Sequence, residues 1–378
     1  MSENLSWVEI DSRALKYNLA KFRELTGPEV LLMPIIKSNA YGHGIVEVAN
    51  ILSDSGVDYL GVVNGTEALL LRNKALNNPI LVLSYFEKRQ IKELIERNID
   101  LVVYDFDTAE EISKIASTLN IIAKIHIKVD TGTSRLGILA EEAADFVEKC
   151  SKLSMVEIIG VFTHFADSEN NDWDFTNSQI EKFRNLLFSL QRMGIKIPIP
   201  HAACSAATLV SANTHFNMVR VGIATYGLWP SENNKITVRK KFPDFELQPV
   251  LSWKTRIIQI KHLPKGSLIG YGCSYKLKKD SMIAILPIGY NEGYSRQLSN
   301  KGTVLVGGKK CPVIGKVCMN LTIIDVSNVD SVAAGDEVTI IGRQGKQEIT
   351  ADQIAIDTKS INYEVVTRIN PQLPRIVI

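Results

Sequence analysis

The sequence predicts an α/β protein in two parts: a closed (β/α)8 TIM-like barrel over residues 1–243, then a mainly β domain over residues 244–378. Three observations carry this. Apolar, β-branched runs alternate with amphipathic stretches eight times before residue 225, the repeat expected of βα units. No G-x-G-x-x-G follows the first run, as an open dinucleotide-binding sheet would require; on periodicity alone, an open doubly wound sheet is the alternative. Beyond the barrel, short strands punctuated by Gly and Pro replace the alternation.

Taken in order, the first helix begins at Asp11, an N-cap candidate before Ser12-Arg13-Ala14-Leu15-Lys16-Tyr17-Asn18-Leu19. Strand patterns then fall at Leu31–Lys37, Tyr59–Val63, Ile80–Ser84 and Leu101–Tyr104. Further strands are predicted at Ile121–Asp130, Val156–His164, Ile199–Ala203 and Met218–Val221. Helical periodicity fills the gaps at Gly44–Ser55, Thr66–Lys74, Glu87–Arg97, Asp107–Leu119, Glu141–Lys152 and Thr176–Met193. The stretch Leu228–Leu247 reads as a solvated connection, and its triplet Arg239-Lys240-Lys241 as an exposed face. In the second part, Thr303–Lys310 and Glu337–Gly345 carry hairpin chemistry.

Composition narrows the function class. The 378 residues are 45% hydrophobic and 22% charged, enough apolar material for a sizeable core in a soluble protein. The 43 Lys and Arg against 41 Asp and Glu leave a net charge of +2, far from the balance of a dedicated nucleic-acid binder. No apolar run approaches the ~18 residues of a membrane helix. The opening Met1-Ser2-Glu3-Asn4 lacks the basic and apolar regions of a secretory signal. The cysteines Cys150, Cys204, Cys273, Cys311 and Cys318 are scattered and form no C-x-x-C, and the last two have no nearby His. A cytoplasmic enzyme without a metal centre is the expected class.

A barrel's active site lies at the C-terminal ends of its strands. Here those ends carry Lys37, then Lys128 to Arg135, His164, Ser205 and Arg220. A lysine after Ile35-Ile36 is carried into a confined mouth, where desolvation lowers its pKa and makes it nucleophilic. A barrel's phosphate site commonly follows strands seven and eight; Ser205 and the backbone of Gly222-Ile223 stand there. A nucleophilic lysine beside a phosphate cradle points to pyridoxal phosphate, a phosphorylated aldehyde. Facing that cofactor's pyridine nitrogen, Arg220 would donate a hydrogen bond without giving up a proton, which leaves the ring a weaker electron sink. In the second part Tyr271 and Tyr290 stand beside glycines; most such tyrosines pack, and one acts as a base only where neighbours favour its phenolate.

With these residues in view, the chain resembles the alanine racemase family. The likeness runs from Trp7-Val8-Glu9-Ile10-Asp11 to Leu373-Pro374-Arg375-Ile376. It is carried by Lys37-Ser38-Asn39-Ala40-Tyr41-Gly42-His43-Gly44, the Lys128–Gly137 segment and Asn217-Met218-Val219-Arg220-Val221-Gly222-Ile223. Gly315-Lys316-Val317-Cys318-Met319 and Ile361-Asn362-Tyr363-Glu364-Val365 add to it. The resemblance implies a barrel plus a C-terminal β domain, working as a head-to-tail homodimer with shared active sites. It implies interconversion of L-alanine and D-alanine, supplying D-alanine for peptidoglycan. Lys37 would hold pyridoxal phosphate as an aldimine and act as base toward the D-isomer; Tyr271 of the other subunit would act toward the L-isomer. Arg220 would face the pyridine nitrogen, with His164 linking it to Tyr271. Arg135 would contact the cofactor's phenolic oxygen and the substrate carboxylate, oriented by Lys128, which is carbamylated in many members. Tyr41, Ser205, Gly222, Ile223 and Tyr363 would hold the phosphate, the N–H of Met319 the substrate carboxylate, and Tyr290 and Arg296 would line the access path.

Three positions depart from the family pattern: Cys204 where asparagine is usual, Asn320 where aspartate follows the methionine, and Lys316 where arginine is common. The last loses a planar fork of donors. They bear on rate and on tolerance of serine or another small amino acid. A decarboxylase on the same scaffold is a competing reading, but such enzymes favour an acidic partner for the pyridine nitrogen. A non-catalytic pyridoxal-phosphate carrier is another, though it would not need Tyr271 and Met319.

Overall fold

The computed structural model describes residues 4–378, so Met1-Ser2-Glu3 of the signal argument lie outside the described residues. The chain forms two compact units. One comprises Arg13–Ser38 and Val48–Pro249; the other comprises the residues up to Ser12, Asn39–Glu47 and Val250–Ile378.

The first unit contains parallel strands at Leu31–Pro34, Leu60–Asn64, Ile80–Tyr85, Leu101–Val103, Ala123–Asp130, Val156–Phe162, Ile199–His201 and Met218–Val221. Ladders join the second strand to the third, and each strand from the fourth to the seventh to its successor. Parallel bridges Ile35↔Gly61 and Leu81↔Asp100 join the first to the second and the third to the fourth. The eighth strand pairs with the first from Met218↔Leu31 to Val221↔Pro34, which closes the ring. Every predicted barrel strand is therefore present, and closure rules out the open sheet. Four of the predicted strands overrun at their C-terminal ends, so that Lys37, Tyr104, His164 and Ala203 lie beyond the ladder. Those residues leave the sheet at the end where a barrel's mouth lies.

Helices cover the outside because each has one apolar stripe. In Asp174–Arg192 the stripe is Ile180, Phe183, Leu186 and Leu190, all buried; each such burial contributes about 1.5–3 kcal/mol. Phe106–Leu119 starts where the Asp105 side chain accepts the N–H of Thr108 and stops at Asn120, whose φ is 54°. The solvated connection expected at Leu228–Leu247 is only partly so: Glu232–Lys241 is a helix. Ser231 Oγ caps it by accepting the N–H of Asn234 at 3.1 Å. The basic triplet sits in its last turn, where it meets the negative end of the helix dipole.

The second unit is mainly β. Its larger sheet runs in the order Lys309–Pro312, Thr303–Val306, Glu337–Gln344, Leu251–Arg256, Ser6–Ile10, Arg375–Val377. The two expected hairpins are there, Thr303↔Pro312 to Val306↔Lys309 and Gly342↔Ile349 to Gln344↔Gln347. Ser6–Ile10, absent from the sequence reading, pairs antiparallel with Leu251–Arg256 and parallel with Arg375–Val377. Ile269, Leu277, Ile283 and Ile314 form a compact buried cluster. Among the described residues, no helix is long and apolar enough to cross a membrane.

Candidate active site

The barrel mouth gathers cations. Lys37 follows the first strand and is half-buried; burial, then the Arg135 guanidinium, lower its pKa from the ordinary lysine value, while Glu67 opposes them. Lys128 is buried, its Nζ 5.4 Å from the centre of the Phe162 ring. Burial, followed by Arg220, Arg135 and Lys37, lowers its pKa to about 8. Arg220 is buried, and its Nη2 donates to Thr163 O at 2.7 Å and Ala202 O at 2.8 Å. It also meets His201 Nδ1 at 3.0 Å and His164 Nδ1 at 3.2 Å. A guanidinium only donates, so His201 Nδ1 accepts from Nη1, while the two hydrogens of Nη2 are shared among Thr163 O, Ala202 O and the more distant His164 Nδ1. Burial, then the four cations Arg220, Arg135, Lys128 and Lys37, hold His164 well below the ordinary imidazole value.

The chain after Lys37 takes an unusual path. Ser38, Asn39, Ala40 and Tyr41 have φ values of 54°, 56°, 53° and 54°, a left-handed helical turn without a glycine. Such backbone costs about 1–2 kcal/mol per residue. Local hydrogen bonds oppose that cost: Ser38 N–H donates to Glu67 Oε1 at 2.7 Å, and Asn39 Oδ1 accepts the N–H of Ile45 at 2.9 Å. Glu67 also accepts the N–H of Val63 at 2.9 Å, so it ties the end of the second strand to the residue after Lys37. Sequence reasoning singled out neither the turn nor Glu67.

Asp130 organises the loop that carries Arg135. Its Oδ1 accepts the N–H groups of Gly132 and Thr133 at 2.8 Å and of Ser134 at 3.2 Å; its Oδ2 accepts that of Arg135 at 3.1 Å. Burial alone would raise its pKa, but these four donors outweigh burial and hold it below the ordinary carboxylate value. The contribution of Asp130 to stability is thus complete above the ordinary carboxylate range and is lost as pH falls through the folded-state value. Asp130→Asn should loosen the loop and raise KM about tenfold, with kcat changed much less. Steady-state kinetics check this, and the stabilities of variant and wild type should converge in acid.

On the phosphate side, Ser205 Oγ accepts the N–H of Gly222 at 2.8 Å, so that N–H is already engaged and the serine's own proton is left to donate. Cys204 packs its thiol 3.2 Å from Ser168 Oγ. Lys37, Lys128, Arg135, His164, Ser205, Arg220, Gly222 and Ile223 all belong to the barrel unit.

The other predicted residues belong to the second unit. The rings of Tyr41 and Tyr363 lie 6.2 Å apart. Tyr271, Tyr290, Arg296, Lys316, Met319 and Asn320 line one open cavity of about 400 Å³. Tyr271 is 73% exposed and Met319 56% exposed. Asn320 donates to Glu292 Oε1 at 2.8 Å, while Glu292 Oε2 accepts the N–H of Gly289 at 2.8 Å. An aspartate at 320 would set two carboxylates against each other, so Glu292 accounts for the amide there. The Met319 loop is held further by Tyr290 N–H on Cys318 O and Asn291 N–H on Met319 O. Gly289 permits this: a Cβ there would come within 2.4 Å of Met319 O.

The donor set at the barrel mouth suits an anionic, aldehyde-bearing ligand with a ring acceptor: an amine of lowered basicity, a buried guanidinium and a serine hydroxyl. Among the described residues, no group of His, Cys, Asp or Glu is placed to hold a metal ion. Two family models match the chain, the alanine racemase N-terminal domain over residues 10–230 and the alanine racemase C-terminal domain over residues 250–377. An alanine racemase from Methanococcus maripaludis is 43% identical over 371 residues, covering 98% of each chain. The structure of alanine racemase from Bacillus anthracis with bound L-Ala-P superposes with a TM-score of 0.92 at 35% identity, covering 100% of this chain and 96% of that one. The alanine racemase from Bartonella henselae, which has covalently bound pyridoxal phosphate, gives 0.85 at 27% identity, covering 99% and 100%. With domain models across both its parts and such a relative along almost its whole length, this chain belongs to the alanine racemase family of isomerases.

Proposed function

We propose that this chain interconverts L-alanine and D-alanine with pyridoxal phosphate bound at the barrel mouth. The observation that carries the proposal is the pairing of Lys37, whose amine is made less basic by its surroundings, with Arg220, which can only donate. Lys37 would hold the cofactor's aldehyde carbon; Ser205, oriented by the Gly222 N–H, and the backbone of Ile223 would hold its phosphate together with Tyr41 and Tyr363, and Arg220 its ring nitrogen. The bound cofactor supplies a conjugated ring that draws electron density from the substrate Cα and so acidifies its proton.

The residues of this chain divide the remaining work. Lys37 Nζ takes or returns the proton on the face it occupies, serving the D-isomer. Tyr271 Oη of a second copy serves the opposite face and the L-isomer, with His164 between it and Arg220. Arg220 donates without releasing a proton, which keeps the ring a moderate electron sink and favours returning the proton to Cα over deeper bond cleavage. Arg135 and the N–H of Met319 of the second copy hold the substrate carboxylate, and Tyr290 limits side-chain size. The exposed Tyr271, Tyr290, Leu268, Met319 and Leu321 support a homodimer in which this face meets another copy. D-alanine made this way in the cytoplasm would supply peptidoglycan.

The test is proton exchange at Cα in D2O, followed by NMR, with L-alanine and pyridoxal phosphate and then chiral analysis. Exchange with formation of D-alanine is expected. Cofactor binding without exchange would sink the proposal, and faster exchange with L-serine would reassign the substrate.

Lys128 offers a further check. An amine with a pKa of about 8 is partly neutral at mild alkaline pH and can take up carbon dioxide. The resulting carbamate would be an anion orienting Arg135. Carbon-13 NMR with labelled bicarbonate should show a protein-bound carbamate signal that Lys128→Arg lacks.

A further inference from the structure

Beneath the barrel mouth, polar side chains occupy positions where such barrels place branched aliphatics. His126 and His201 are fully buried and Asp100 is 3% exposed. Arg220 meets His201 Nδ1 at 3.0 Å; His201 Nε2 meets His126 Nδ1 at 3.1 Å; His126 Nε2 lies 3.4 Å from Asp100 Oδ2. The hydroxyl of Tyr59 donates to the same Asp100 oxygen at 3.1 Å. Tyr59 and Asp100 immediately precede their strands, whereas Arg220 stands in the last strand beside the mouth, so the line threads the barrel along its axis.

The direction of every bond follows from one fact. The guanidinium has no acceptor, so His201 Nδ1 accepts and its proton is on Nε2. That proton goes to His126 Nδ1, which leaves the His126 proton on Nε2, facing a carboxylate. The last contact is long and poorly aligned, and His126 Nε2 has no better partner, so its link to Asp100 is mainly electrostatic. The packing makes room for both rings. A Cβ on Gly160 would come within 2.3 Å of His126 Nδ1, and Phe162 stacks on His201 at 4.7 Å with its plane tilted 11°. Burying two imidazoles and a carboxylate is costly unless each is engaged.

We propose that Asp100, His126 and His201 are positioning residues: a relay of two hydrogen-bonded imidazoles of fixed direction, ending against a carboxylate, which aims Arg220 and tempers its charge where it meets the cofactor ring. The proposal rests on the function given above. Without the relay the barrel core would face an uncompensated buried guanidinium. With it, the carboxylate at the far end balances that charge, and the arginine is held in one orientation with its remaining donor capacity toward the mouth.

The test separates the relay from the function. In the full chain labelled with 15N-histidine, with and without pyridoxal phosphate, long-range 1H–15N NMR reads the tautomers of the six histidines. His201 and His126 are both expected with the proton on Nε2. A proton on His201 Nδ1, or an imidazolium at either site, would overturn the relay. Asp100→Asn keeps the shape and removes the charge. It should retain the cofactor's visible band, move the His126 Nε2–H resonance, and lower kcat about tenfold, equivalent to about 1.4 kcal/mol, with KM unchanged. A folded, fully loaded Asp100→Asn with wild-type kcat and an unmoved His126 resonance would also overturn it. Should that variant fail to fold, the wild-type tautomers decide. Absence of racemisation by the wild type would count against the function and leave the tautomers to judge the relay.

Discussion

Replacing Lys37 with alanine is expected to remove the cofactor's visible absorbance and the racemase activity together. Lys37 carries two tasks in the proposed scheme, attachment of the aldehyde and proton transfer on one face. A positioned base alone typically contributes ~10²–10⁴-fold, and loss of the attachment removes the cofactor's orientation as well. Lowered basicity is what makes the residue fit for both: burial and the neighbouring Arg135 favour the neutral amine. The fold should survive, because the strand before it is fixed by other bonds, including Ile35 N–H on Val221 O, Ile36 N–H on Gly61 O and the Tyr226 hydroxyl on Ile35 O. Circular dichroism establishes that, and an absorption spectrum with a coupled D-alanine assay reads the rest. A visible band retained in Lys37→Ala would refute the attachment.

Tyr271→Phe should behave differently. The ring and its packing stay, the absorbance stays, and racemisation falls by ~10²–10⁴-fold because one face loses its base. The proposed sharing of sites between two copies gives a sharper version. Mixed with Lys37→Ala under conditions that exchange subunits, Tyr271→Phe should restore about a quarter of wild-type activity, since half the dimers are mixed and each keeps one intact site. No recovery, with mixed dimers demonstrated, would place Lys37 and Tyr271 of the same chain in one site. Full activity of Tyr271→Phe alone would end the two-base scheme.

Much of the barrel was legible because its signals are local. Each strand is a short apolar run bounded by turn residues, and each helix shows its stripe within one window. Lys37 and Ser205 stand out for the same reason, being polar groups where an apolar run stops, and Arg220 as a charge inside one. The strand Ser6–Ile10 is not legible locally because nothing near it in the chain is its partner; it is defined by Leu251–Arg256 and Arg375–Val377. The helix Glu232–Lys241 was obscured by its polarity, since it buries little beyond Asn234 and Val238 and depends on its Ser231 cap.

Periodicity and residue type alone define the barrel strands, the barrel class and the candidate chemistry at the strand ends. Which polar groups meet depends instead on packing between distant segments. Asp100, His126, His201 and Arg220 come from four different strand regions, and no spacing in the chain announces that they align along one axis. The same holds for Glu67 beside the turn after Lys37, for Glu292 beneath Asn320, and for the conversion of Ser38–Tyr41 to a left-handed path. The reason is physical: periodicity reports which face of an element is buried, whereas a hydrogen bond depends on positions to within tenths of an ångström, which only the closed barrel and the packed second unit set.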